Sequence, residues 1–218
     1  MGNSNRYPLW MFSVVCALSL AACQTAYYKT MEKFGYHKRD IMVDRVKEAR
    51  DSQQEAKEQF QSSLDKFSSV LNFEGGALED KYRELNTEYE KSAKKAEDVH
   101  QRIESVENVS EALFDEWEAE LGLYSRESLR QESEKKLRRT RAQYERLIGA
   151  MRRVEDRIAP VLTAFHDQVL FLKHNLNAQA IASLQSELVS VEADVASLIR
   201  EMEKSIGEAD TFISTMIE

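Results

Sequence analysis

Apolar and small side chains recur along most of the chain at alternating steps of three and four residues, with charged and polar positions between them. The pattern forms four runs, at residues 42–71, 78–121, 129–172 and 181–216. Positions three and four residues apart share one face of an α-helix, so each run predicts an amphipathic helix. The narrow apolar stripe is typical of a coiled-coil seam.

Short interruptions between the runs predict the turns. Gly75-Gly76 favours the end of the first helix, because paired glycines permit positive φ angles. A second break lies at 122–125, where Ser125 is a candidate N-cap, and a third at 173–175. Short connections make consecutive helices antiparallel neighbours. We therefore predict an all-α fold: an elongated antiparallel four-helix bundle or coiled coil with up-down-up-down topology.

The predicted helices are long and one contains a proline. At about 1.5 Å per residue, the longer helices would extend roughly 60–70 Å. The first helix is expected to begin before residue 40, because the second would otherwise overhang it. Pro160 lacks a backbone donor and clashes with the preceding turn, so the third helix is predicted to kink near residues 156–160. Such a kink is either a static bend or a hinge.

The first 23 residues have the layout of a secretory signal. Arg6 precedes a short apolar run at 9–20, which is too short to cross roughly 30 Å of hydrocarbon as a helix. The following Leu-Ala-Ala-Cys, residues 20–23, resembles the bacterial lipobox. That resemblance implies cleavage before Cys23, attachment of diacylglycerol to its thiol and acylation of the new amine. The alternative is an ordinary cleaved signal followed by an incidental cysteine.

This interpretation divides the chain into a lipoprotein signal peptide at 1–22, a lipid-anchored tether at 23–40 and a single helical-bundle domain at 41–218. Acyl chains such as palmitate on Cys23 would make the membrane a partner. Gln24 follows the cysteine, and resemblance to enterobacterial lipoproteins lacking Asp there implies the cell outer membrane, facing the periplasm. The aromatic-rich residues 27–36 are expected to pack either on the bundle or on the membrane surface.

Composition excludes several classes of protein. With 7 Gly and 2 Pro in 218 residues, the chain is neither collagen-like, linker-like nor a turn-dense all-β protein, and 42% apolar residues is too many for a disordered chain. The net charge of -8 would repel anionic lipid, so acyl chains rather than electrostatics are expected to anchor it. Because Cys16 lies in the signal segment, lipidation of Cys23 would leave no thiol for a disulfide.

Basic side chains are concentrated at 135–157, which alone is typical of a nucleic-acid patch. The predicted turns, however, place this stretch beside the acidic residues of 97–120 and of 195–217, with Arg138 level with about residue 109. We therefore expect ion pairs within the bundle and no nucleic-acid partner. An anionic ligand is the alternative.

Signals for catalytic chemistry are sparse. Glu97 and His100 form one E-x-x-H pair, whereas di-metal helical bundles use two facing copies with two further Glu. The chain contains no H-E-x-x-H, C-x-x-C, G-x-S-x-G or P-loop sequence. We expect no cofactor, no metal site and no enzymatic activity, with Glu97 and His100 on a solvated helix face.

The stretch 165–181 combines apolar and polar residues at a predicted end of the bundle. Leu170 and Phe171 lie beside the seam and widen the apolar surface. A polar group follows: Lys173, His174, Asn175 and Asn177. The group is interpreted either as a capped turn, with Asn177 capping the last helix, or as a surface that docks a partner or a second copy of the chain.

Three segments resemble one family: FEGGALEDKY at 73–82, ALFDEWEAEL at 112–121 and FLKHNLNAQAI at 171–181. They are similar to the bacterial domain-of-unknown-function family 2959, over about residues 27–217. The resemblance implies a coiled-coil-rich envelope lipoprotein and no assigned activity. The expected function is an outer-membrane-anchored scaffold, spacer or adaptor for an unknown envelope protein. The alternatives are a metal-binding or enzymatic bundle and a lipid-binding rod at the membrane surface.

Overall fold

The structure, a computed structural model, describes residues 37–71, 78–175 and 177–217. These residues form four helices: α1, Lys38–Leu71; α2, Leu78–Leu121; α3, Glu127–His174; and α4, Ala178–Ile217. Within these ranges there is no β-strand. The all-α prediction is confirmed, and the helix bounds follow the four runs of apolar residues.

The helices form a ring in which each packs on two neighbours: α1 and α3 each contact both α2 and α4. Lys38, at the start of α1, pairs with Glu116 near the end of α2 (Nζ–Oε1 2.7 Å). Lys66, near the end of α1, pairs with Glu84 near the start of α2 (Nζ–Oε2 3.2 Å). These helices are therefore antiparallel, and the up-down-up-down bundle is confirmed.

The two ends of the bundle are built from different segments. The near end comprises the start of α1, the connection 122–126 and the end of α4. The far end comprises the end of α1 and the connection around 175–177, because Gln185 Nε2 of α4 donates to the carbonyl oxygen of Leu71 (2.6 Å). The 48 residues of α3 run between the two ends, a length of about 70 Å.

The predicted seam forms the core. Phe165 of α3 is fully buried in the core, where its ring stacks on Phe67 (centroids 4.6 Å apart) and faces Phe60 (6.3 Å) across the bundle in α1. Leu129 is an exception, because its side chain is 51% exposed. Thr215, close to the end of α4, lies beside Gln143 (Oγ1–Nε2 3.4 Å), so the first turns of α3 extend beyond α4.

Details of the helix ends differ from prediction. Arg126, not Ser125, is the N-cap of α3, and it has extended backbone angles without a side-chain capping bond. The helix α1 begins before residue 40 as expected, which places three residues of the proposed tether in the bundle. Gly75-Gly76 lies outside the described residues. The exposed Pro160 lies within a continuous α3, and the kink expected there stays a prediction.

Candidate functional site

The residues considered for partner docking lie together at the far end. The side chains of Leu170 and Phe171 are 43% and 41% exposed, four and three residues before the end of α3. Lys173 and His174 follow in the last helical turn and are exposed, where a positive charge interacts favourably with the helix dipole. The structure therefore brings the apolar pair and the basic pair onto one exposed helix end.

Asn175 has a structural role at this end. Its backbone N–H donates to the carbonyl oxygen of Leu172 (3.2 Å), and its side-chain Nδ2 donates to that of Phe171 (2.9 Å). These bonds satisfy carbonyl groups that the end of α3 would otherwise leave without partners. The exposed Asn177 directly precedes α4, and its N–H donates to the carbonyl oxygen of Asn175 (2.8 Å). The capped turn and the exposed apolar pair thus coexist.

Val189 of α4 was missed by the sequence analysis. Its side chain is 71% exposed, and it lies in the half of α4 nearest the far end. Its neighbour Leu188 belongs to the seam and is buried. A valine directly after a seam leucine was the available signal, but periodicity alone does not show which neighbouring helix covers that position.

The pair Glu97 and His100 does not form a shared site. Gln101 Nε2 donates to Glu97 (2.7 Å), whereas His100 Nδ1 pairs with Glu155 of α3 and its Nε2 lies 3.4 Å from Glu104. The hydrogen bond to Glu155 raises the pKa of His100 above its ordinary value. Among the described residues, no group of three or more His, Cys, Asp or Glu could hold a metal ion.

Part of the basic stretch pairs with acids of both neighbouring helices. Arg152 binds Glu107 of α2 through two nitrogens and also contacts Glu155. Arg153 Nε lies 3.7 Å from Glu201 of α4. This is the pairing expected from sequence.

The register between α2 and α3 differs from the expected one. Arg138 pairs with Glu134 of its own helix, and Arg141 reaches Glu118 (2.5 Å), not the region near residue 109. Helical side chains lean toward the N-terminus of their helix. In α3 that direction is the near end, so the guanidinium groups meet higher-numbered residues of α2.

Cys23 and the other residues of the proposed signal and tether, up to residue 36, lie outside the described residues. Among the helices described, none combines the length and the apolar character that crossing a bilayer requires.

A family model described as "Protein of unknown function (DUF2959)" matches residues 27–216. No curated protein matches the chain.

Proposed function

This protein belongs to the DUF2959 family, and we propose that it is an outer-membrane lipoprotein that serves as a helical scaffold, spacer or adaptor for a protein partner in the envelope. Acyl chains on Cys23 hold the near end of the bundle at the membrane. The far end extends into the periplasm, where Leu170 and Phe171 contact the partner.

One observation carries this proposal: the start of α1 and the exposed pair Leu170 and Phe171 lie at opposite ends of the bundle. The chain enters α1 at Lys38 from the direction of Cys23, so an anchor on that cysteine is connected to the near end. The candidate docking residues are then separated from the anchor by most of the roughly 70 Å length of α3. A rod with an anchor at one end and an apolar contact at the other is suited to bridging.

The burial pattern supports an adaptor. The large seam side chains of all four helices are buried against each other. Leu170, Phe171 and Val189 remain exposed in the far half of the rod. Exposed apolar neighbours such as Leu170 and Phe171 are typical of protein contact sites. The partner is either another envelope protein or a second copy of this chain.

The anchor is tested by labelling cells with radioactive palmitate. We expect the full chain to incorporate label and to fractionate with the outer membrane, and Cys23→Ser to lose both properties. Cys16→Ser is the matched control, because the alternative cysteine lies in the segment expected to be removed. A wild-type chain without label, or a mature terminus that begins elsewhere, would refute the anchor.

The docking surface is tested by crosslinking in living cells with a photoreactive amino acid at position 171. We expect a discrete adduct whose mass identifies a partner or a dimer, and its loss in Leu170→Asp. The same probe at Leu129 is the control, because that leucine is also about half exposed in α3 but lies at the near end. Equal adduct patterns from both positions, or none from position 171, would contradict the proposal.

A further inference from the structure

A cleft at the near end is lined by basic side chains. The start of α1, the end of α2, the first half of α3 and the end of α4 enclose a volume of about 260 Å³. Arg39 of α1 faces three cations of α3 across it: Lys135, Lys136 and Arg139. The spacing in α3 explains the convergence, because residues three and four positions apart share a helix face.

These four cations differ from most others in the bundle. Within the described part of the chain, none of them has an acidic partner, whereas Arg138, Arg141, Arg152 and Arg153 of the same basic stretch are all paired. Glu132 is the one acidic residue among those lining the cleft. Like charges held around one cavity repel each other, and a bound anion would convert that repulsion into attraction.

Aromatic and apolar side chains surround the same cleft. Trp117 lines it, and its Nε1 donates to Ser133 Oγ (2.8 Å), which also accepts from the hydroxyl of Tyr124 (3.3 Å). Leu123, in the adjacent connection, is 80% exposed. Trp and Tyr are enriched where a membrane meets water, and Lys and Arg there bind lipid phosphates. A free anion would be bound by the cations alone, so the aromatic and apolar side chains around the cleft favour a lipid.

We propose that this cleft binds the phosphate of an anionic phospholipid headgroup. That the cleft lies at a membrane rests on the proposed function. The anchor at Cys23 is 15 residues before Lys38, and a chain of that length spans at most about 50 Å. The anchor therefore keeps the near end within that distance of the bilayer. The phosphate oxygens accept hydrogen bonds from the lysine ammonium groups and, in bidentate fashion, from the arginines. Leu123 and Tyr124 contact the boundary between headgroups and acyl chains.

The proposal gives the acidic protein an orientation. The whole chain has a net charge of -8, so most of its surface is repelled by an anionic bilayer, while the four cations that line the cleft are attracted. An acyl anchor restricts the distance between the rod and the membrane but not the direction of the rod. Headgroup binding beside the anchor would hold the rod upright, with Leu170 and Phe171 facing away from the membrane.

Native mass spectrometry of the full chain, exported and purified in a non-ionic detergent, tests this binding. Phosphatidylglycerol, phosphatidylcholine and inorganic phosphate are titrated separately. We expect phosphatidylglycerol to bind with one-to-one stoichiometry and Lys135→Gln/Lys136→Gln/Arg139→Gln to weaken it by at least about tenfold. The control, Lys94→Gln/Arg200→Gln/Lys204→Gln, removes three exposed cations elsewhere and should leave the affinity within about twofold.

The outcomes separate the two proposals, because the same spectra report the acyl mass on Cys23. Phosphatidylglycerol binding by a chain without acyl groups would support the cleft and refute the anchor. An acylated chain that binds both lipids equally, or loses affinity equally in both triple variants, would overturn the cleft alone. Inorganic phosphate binding as tightly as phosphatidylglycerol would identify a free-anion site and overturn the assignment to lipid.

Discussion

His100 of α2 and Glu155 of α3 form a hydrogen bond across the interface between their helices, and the contact is an ion pair when the imidazole is protonated. Glu155 also contacts Arg152, which in turn binds Glu107. The pair therefore belongs to a chain of alternating charges along the α2–α3 interface. Exposed pairs of this kind contribute little energy individually, but they favour one helix register over others.

This network predicts a dependence of stability on pH. The hydrogen bond to Glu155 raises the pKa of His100 above 6.5. A group whose pKa is raised by folding stabilises the fold fully below its unfolded pKa, and the contribution is lost as the pH rises through the folded pKa. We expect Tm to fall between about pH 6 and pH 8, and this slope to be smaller in His100→Gln.

Thermal unfolding followed by circular dichroism across that pH range measures the effect, and the NMR titration of the His100 ring measures its pKa directly. The control is His174→Gln, whose exposed ring lies at the far end. A slope that is equally reduced in both variants would show that His100 is not its source.

Replacement of the buried Phe165 is expected to cause a large loss of stability. Phe165 is fully buried and contacts rings of α1 from the opposite corner of the bundle. Replacing it with alanine leaves a cavity that four constrained helices cannot fill, so Phe165→Ala should lower the free energy of unfolding by about 3–5 kcal/mol. Urea denaturation measures this change. Phe171→Ala in the same helix is the control and should cost less than about 1 kcal/mol, and similar losses would contradict the assigned core.

A buried glutamine predicts a gain of stability. Gln53 is fully buried in α1, and neither polar atom of its side-chain amide has a hydrogen-bond partner. Removing a buried polar group that lacks a partner avoids a desolvation cost of about 1–3 kcal/mol. Gln53→Met should therefore raise the urea midpoint without changing the m-value.

The comparison for Gln53→Met is Gln54→Met, since the amide of Gln54 donates to Glu58 at the surface (2.7 Å). That change should be nearly neutral. A polar residue on a coiled-coil seam can instead specify register. If Gln53 specifies the register, the Gln53→Met variant would no longer unfold in one sharp transition, and the expected gain of stability would be wrong.

Replacement of Pro160 is expected to give a second gain of stability. The proline lies within α3, exposed to solvent, and it cannot donate the backbone hydrogen bond that its helical position calls for. Pro160→Ala should raise the free energy of unfolding by up to about 3 kcal/mol. Thr163→Ala, one turn later on the same exposed segment, is expected to change it by less than about 0.5 kcal/mol. If Pro160→Ala leaves the free energy of unfolding unchanged, the backbone around the proline has already adjusted to the missing hydrogen bond, and the expected gain would be wrong.

Much of the fold could be predicted from the chain because an apolar residue every three or four positions has few ways to be buried. The four apolar runs include Met42, Val99, Leu147 and Leu198, and all four side chains are buried. The turns followed from breaks in that pattern. The site was harder to predict: Leu170 and Phe171 could be found as apolar residues beside the seam, whereas the cleft around Arg39 and Lys135 could not.

The amino-acid sequence by itself determined four amphipathic helices, their order and their antiparallel direction, because these depend on local periodicity and on connections too short to cross the bundle. Only the tertiary structure decided which charges find partners. Arg152 meets Glu107 while Lys135 and Arg139 face a cleft, because pairing depends on the tilt of side chains and on where each helix ends. Both features act through the distances between helices, which the spacing of residues along the chain does not specify.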